Sequence, residues 1–339
     1  MVSLKAVRES NAKLKATCAE QVALFVGATS GIARQALTEY ARHSARPKIY
    51  VVGRNDAALA QLVEELAQIN ADGSYMPIKA EIALLKNVDG VCEQVKAKET
   101  QLHLLLMAPG YLKYKRVDNA EGLEDTVALR YYARMRFIYN LLPLLSASPS
   151  RVVSIMGAGK EGQLDETDLE LKHTFSFLRG TVHTNTMNTL ALQHLASLHP
   201  SISFVHVFPG LVMTGAHAVT AKDWVFPFRF LFLHVVLPLS RPVMMDLGEC
   251  GERQLFAATS ARYPPSTARD PPAGGVALPA GVTMASGPDK KEGSGCYLVD
   301  ENGETVVNEK LIEDYRKRGT GKKVWEHTLE VFERVLGKA

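Results

Sequence analysis

The sequence predicts an α/β fold, a doubly wound parallel sheet in one domain. Three observations carry that prediction. From Val22 onward, short apolar runs alternate with stretches of helical spacing. The runs are continuously apolar, as in LHLLLMAPG at 102–110, which suits strands covered on both faces. In VALFVGATSGIARQALTEYARH, at 22–43, one such run passes into a helix through a glycine-bearing turn.

The elements follow in order. Residues 1–20 are polar, with no apolar centre of the kind a secretory signal has. They read as an N-terminal arm or helix ahead of a single domain at 21–339. Val22–Val26 is the first strand, and 33–43 has helical spacing with Leu37 and Tyr40 among its apolar positions. KIYVVGRN at 48–55 is the second strand, and Asp56–Ile69 repeats Ala and Leu at intervals of three and four, giving a helix. Strands at 74–82, 102–110 and RVVSIMG from 151 alternate with helices at 88–98 and 122–145. A helix at 182–198, the strand SISFVHVFPG from 201, CYLVDENGETV from 296 and a mostly helical 311–336 complete the pattern. Strands alternating with helices imply right-handed crossovers onto a parallel sheet.

Two regions break the rhythm. Residues 220–248 contain WVFPFRFLFLHVVLPLSRPVMM, whose uninterrupted apolar run of about ten residues falls short of the roughly twenty that span a bilayer. A substrate lid or a dimer contact is the first reading, and peripheral membrane attachment the second. Residues 263–293 are rich in Pro and Gly and are expected as a surface loop.

Composition narrows the function. Of 339 residues, 46% are apolar and 22% charged, and the net charge is only +3 with both signs interspersed, which gives nucleic acid no electrostatic footing. The four cysteines, Cys18, Cys92, Cys250 and Cys296, are scattered and form no CxxC pair. That spacing suits reduced thiols in the cytoplasm and supplies no metal site.

In GATSGIA, Gly27 permits a tight turn, and Gly31 lets backbone approach a pyrophosphate at the start of the following helix. The hydroxyls of Thr29 and Ser30 can reach phosphate or ribose. Arg54 and Asn55 end the second strand, where a basic residue pairs with the 2′-phosphate of NADP and an Asp would bind the 2′-hydroxyl of NAD.

On these residues the chain resembles the short-chain dehydrogenase/reductase family, whose first loop reads TGxxxGIG. The likeness runs from about 22 to 214, and the ending GSGCYLVDENGE with VWEHTLEVF resembles a group of fungal relatives. The resemblance implies a Rossmann-type fold, an NADP(H) cofactor, a small-molecule substrate and a homodimer, and it makes a secondary metabolite a plausible substrate. Gly27, Gly31 and Ile32 match the family loop, while Val26 and Ala33 replace its Thr and last Gly. Glu81 stands at the family's adenine-contacting position. Pro209, Gly210 and Thr214 match its PGxxxT segment. MAPG at 107–110 replaces NNAG, keeping only Gly110.

The catalytic side matches poorly. The family uses a Tyr, a Lys four residues later, a Ser and an Asn. The two serine positions are Met156 and Gly157, with Ser154 two residues earlier, and the Asn position is Arg130. In VHTNTMNTLALQHLA the preferred register puts His183 at the Tyr and Met187 at the Lys; the alternative puts Thr181 and Asn185 there. Either way the chain reads as an atypical member without the Tyr-xxx-Lys pair. His183, Arg130, Ser154 and Asn185 are the candidate catalytic residues. Three functions stay open: an oxidoreductase on a ketone or alcohol of an apolar metabolite, a non-redox isomerase, dehydratase or cyclase, and a non-catalytic nucleotide-binding protein.

Overall fold

The computed structural model describes residues 1–111, 113–214, 227–240, 244–268, 270 and 273–337. Seven parallel strands form one sheet: β1 (Val22–Val26), β2 (Lys48–Gly53), β3 (Ser74–Lys79), β4 (Leu104–Met107), β5 (Ser150–Ile155), β6 (Ile202–Val207) and β7 (Cys296–Val299). Their order is β3-β2-β1-β4-β5-β6-β7. β1 and β4 to β7 are buried along their whole length, which is why they lack the alternation of a half-solvated strand. Pro77 sits in β3, the edge strand, where its missing N–H breaks no central ladder.

The helices are α1 (Leu4–Thr17), α2 (Gly31–His43), α3 (Asp56–Ile69), α4 (Leu85–Lys96), α5 (Ala133–Ser146), α6 (Phe177–Leu198), α7 (Leu247–Thr259), α8 (Glu309–Lys317) and α9 (Thr320–Leu336). Two apolar clusters fill the layers: α2, α3 and α7 cover one face of the sheet, and α4, α5, α6 and α9 cover the other. α1 is capped by Ser3 and fastened to α7, where Arg8 Nε lies 2.9 Å from Glu252 and Asn11 donates to the Glu252 carbonyl at 2.9 Å. Strand order reverses between β1 and β4, which opens a crevice at their carboxyl ends.

Four elements depart from expectation. α6 starts at Phe177, not 182, because the Ser176 side chain accepts from the Arg179 amide and caps it there. The helix expected at 122–145 begins at Asp125, capped by Glu124, and passes through a π-helical turn, Ala128–Tyr132, before α5. The last helical stretch divides into α8 and α9. The 263–293 stretch is not wholly at the surface: Tyr263, Val276 and Ala285 are buried, and Arg151 donates to the Gly274 carbonyl at 3.1 Å, drawing the loop inward.

Of the apolar 220–248 region, 220–226 and 241–243 lie outside the described residues. The part at 227–240 winds through short helical turns, Phe228–Leu231, Phe232–Val236 and Leu237–Ser240, with Phe230 52% and Leu239 75% exposed. Among the described residues no helix is long and apolar enough to cross a membrane.

Candidate active site

The crevice is a cleft of about 380 Å³. Its floor is set by Gly27, at a φ of +76°, where an added Cβ would lie 3.0 Å from the Pro109 backbone. Only glycine lets the loops after β1 and β4 lie this close. Thr29, Ser30, Gly31 and Ile32 line the cleft where α2 begins. Ser30 occupies the cap position of α2 but makes no capping bond, and the first turn of α2 carries no acid. By contrast Ser3, Asn55, Ser176, Asp246 and Asn308 each cap their own helix. The first amides of α2 are therefore left for an anion in the cleft, with the helix dipole behind them.

The remaining cofactor candidates divide. Arg54 and Glu81 line the rim and face each other at 3.3 Å, with side chains 62% and 45% exposed. So exposed a pair is worth little and exchanges readily for another anion. Asn55 does not line the cleft; its Oδ1 accepts from the Ala58 amide at 3.1 Å and caps α3. Gly110, Pro209 and Thr214 line the cleft, the Thr214 methyl lying 3.6 Å from where a Gly31 Cβ would be. Gly210 packs against Glu301 instead.

Beneath the cleft lies a polar network built on the π-helical turn and α5. Arg130 lines the cleft beside Gly110; its Nε donates to Thr184 Oγ1 at 3.1 Å and one terminal nitrogen to Asn185 Oδ1 at 3.2 Å. Arg134 is 1% exposed and donates to the Met107 carbonyl, Ser154 Oγ and the Pro109 carbonyl at 3.0, 2.8 and 2.7 Å. It thus fixes the carbonyls that leave β4. Ser154 in turn donates to Asn188 Oδ1 at 3.0 Å. Burial draws the Arg130 guanidinium down to about 10. Burial, then the neighbouring charge of Arg130, draws Arg134 down to about 9. Both remain cations at neutral pH.

Of the four candidate catalytic residues, only Arg130 lines the cleft; Ser154 and Asn185 sit directly behind it. The preferred register for His183 is corrected. Asn185 is the residue against the end of β5, where a Cβ on Gly157 would lie 2.4 Å from its amide nitrogen. Residues two apart on a helix point to opposite sides, so His183 turns away, bonding the Leu169 backbone near Asp165, Asp168 and His327. Burial pulls its imidazole down to about 4, and its Nε2 has no partner among the described residues.

Sequence reasoning missed Arg134 and a second buried chain. The Gly157 amide donates to His206 Nε2 at 3.2 Å, so the ring proton is on Nδ1, which bonds Thr189 Oγ1 at 2.8 Å. Thr189 then donates to Glu161 Oε1 at 2.7 Å. This chain anchors the turn after β5 from below. A histidine inside the apolar strand SISFVHV was its signal, as the four-residue spacing in RYYAR was for Arg134.

The short chain dehydrogenase pattern matches residues 21–164. The chain is 41% identical over 338 residues to an oxidoreductase of Emericella nidulans, covering 99% of both. The chain belongs to the short-chain dehydrogenase/reductase family. Another family relative, oxidoreductase andH of Emericella variicolor, is 38% identical over 341 residues and is matched over 100% of this chain and 99% of its own. L-sorbose reductase from Gluconobacter frateurii, solved with NADPH and L-sorbose, superposes with a TM-score of 0.56 at 17% identity, covering 72% of this chain and 91% of that one. The RhlG/NADP complex of Pseudomonas aeruginosa gives 0.53 at 18%, covering 73% and 92%. These likenesses show the short-chain dehydrogenase fold.

Proposed function

We propose that this short-chain dehydrogenase is an NADP(H)-dependent oxidoreductase that interconverts a ketone and an alcohol on an apolar secondary metabolite. The observation that carries the reading is the uncapped start of α2 at Gly27 and Gly31, open to the cleft with Arg54 at its rim. These residues fit the group: backbone amides for the pyrophosphate, and a cation for the 2′-phosphate once it leaves Glu81. Fold neighbours solved with NADPH or NADP support the choice. NADPH, when bound, supplies the hydride: ketone, NADPH and a proton become alcohol and NADP⁺. Arg130, lining the cleft, supplies positive charge to the bound substrate.

A second reading has one observation in its favour. α6 contains neither Tyr nor Lys, which leaves the fold open to an isomerase, dehydratase or cyclase. Calorimetric titration of nucleotide-stripped protein with NADPH, NADP⁺ and NADH separates the two. Micromolar NADPH binding, at least about tenfold tighter than NADH and losing that preference in Arg54→Ala, is expected. If none of the three binds, the redox reading falls and the second replaces it.

A further inference from the structure

Among the described residues, well-buried arginines beside an acid pair with it: Arg136 reaches Asp89 at 2.6 Å, and Arg262 reaches Glu304 at 3.0 Å. Arg130 and Arg134 have no carboxylate within ion-pair distance among the described residues. Arg151 lacks one too, but its donors end on the Ala257 and Gly274 carbonyls, away from the cleft. The Arg130–Arg134 pair differs in two respects. Its two cations repel each other, and one terminal nitrogen of Arg130 makes no hydrogen bond among the described residues while the residue lines the cleft. Charges buried without a counter-ion are costly, and the charges here are held rigidly by carbonyls, hydroxyls and amides.

We propose that the cleft is built for a substrate that brings its own negative charge, a carboxylate or enolate oxygen seated on Arg130. This rests on the oxidoreductase reading for the reaction, but not for the binding. The guanidinium edge of Arg130 receives the oxyanion through charge-assisted hydrogen bonds. Arg134 holds the carbonyls of Met107 and Pro109 away from it and adds to the local positive potential. Thr184 and Asn185 fix the guanidinium plane, so its orientation toward the cleft is set before any ligand arrives.

The test is calorimetric titration of 4-phenylbutyrate and of its neutral amide into the NADP⁺-loaded protein and into the nucleotide-free protein. The acid is expected to bind at least about tenfold more tightly than the amide, with the preference lost in Arg130→Gln and partly kept in Arg130→Lys. NADPH affinity should stay within about threefold in both variants. Thermal melts show which variants are folded, and Arg130→Lys carries the test if Arg130→Gln is not. Equal binding of acid and amide by the unaltered protein, or no binding of either, overturns the proposal. So does a tenfold or greater loss of NADPH affinity in Arg130→Gln with the acid preference intact, since the oxyanion served would then be a cofactor phosphate. Failure of the unaltered protein to bind NADPH sinks the redox reading alone, and the nucleotide-free titration still decides this one.

Discussion

Gly27 concentrates the demands of the site on one residue: a φ of +76° and a neighbouring backbone 3.0 Å from the missing Cβ. Gly27→Ala is expected to cost about 1–3 kcal/mol of stability by strain and displacement of the Pro109 loop. It should also weaken NADPH binding more than tenfold, by about the amount that a misplaced anion cradle costs. Urea denaturation and calorimetry together check this; an alanine variant that binds normally would mean the loops after β1 and β4 adjust freely. Gly157 was legible only as a gap where the family has a serine. Its reason is steric: the Asn185 amide occupies the space a side chain would need. That contact could not be read from one sequence, because helix register across a sheet is a property of packing.

Among the elements, α2 leaves its first amides without a side-chain cap, and α9 ties its neighbours together. Thr328 of α9 meets Tyr131 Oη at 2.6 Å, and His327 Nε2 meets Tyr132 Oη at 3.0 Å, tying the C-terminal helix to the π-helical turn that carries Arg130. A π-helical turn within a helix often marks a functional position, and here it sets the direction of the guanidinium. Thr328→Val leaves the buried Tyr131 hydroxyl without this partner and is expected to cost about 1–3 kcal/mol. NADPH affinity should not change. A variant with unchanged stability would show that water replaces the bond, while reduced affinity would show that α9 controls the cleft. The periodicity of 122–145 announced a helix, but a π-helical turn has no sequence signature of its own.

At the scale of the whole molecule, buried histidines govern acid stability. Burial holds His183 at about 4 and His206 at about 3; for His206 the charges of Arg134 and Arg130 add to it. The unfolded chain takes up these protons near 6.5, so the native state is fully favoured above that pH and loses stability as pH falls through 6.5 toward 4. The loss is about 2 kcal/mol per histidine between pH 7 and pH 5. Glu161 acts in the opposite sense. Burial raises its carboxyl, so its contribution declines as pH climbs past the ordinary 4.5. His183→Gln isolates one contribution: urea unfolding at pH 7 and pH 5 should show a fall smaller by about 2 kcal/mol than in the unaltered protein. Equal falls would mean that the native state protonates His183 readily.

The sequence by itself determined the sheet, the crossovers and the glycine loop. Each depends on near neighbours: apolar runs long enough for a covered strand, helical spacing between them, and a turn that needs glycine where β1 meets α2. It also placed Arg54 and Glu81 near strand ends, and, through the family resemblance, Arg130 within the helix expected at 122–145. Only the tertiary structure decided that Asn185 rather than His183 faces β5, and that Arg134, Ser154 and Asn188 form one buried chain. These depend on rotation of helices about their axes and on contacts across 20 to 55 positions of sequence, such as the 34 between Ser154 and Asn188 and the 55 between Arg130 and Asn185. Local periodicity states which face of a helix is apolar; it does not state which polar residue at the margin of that face meets the site.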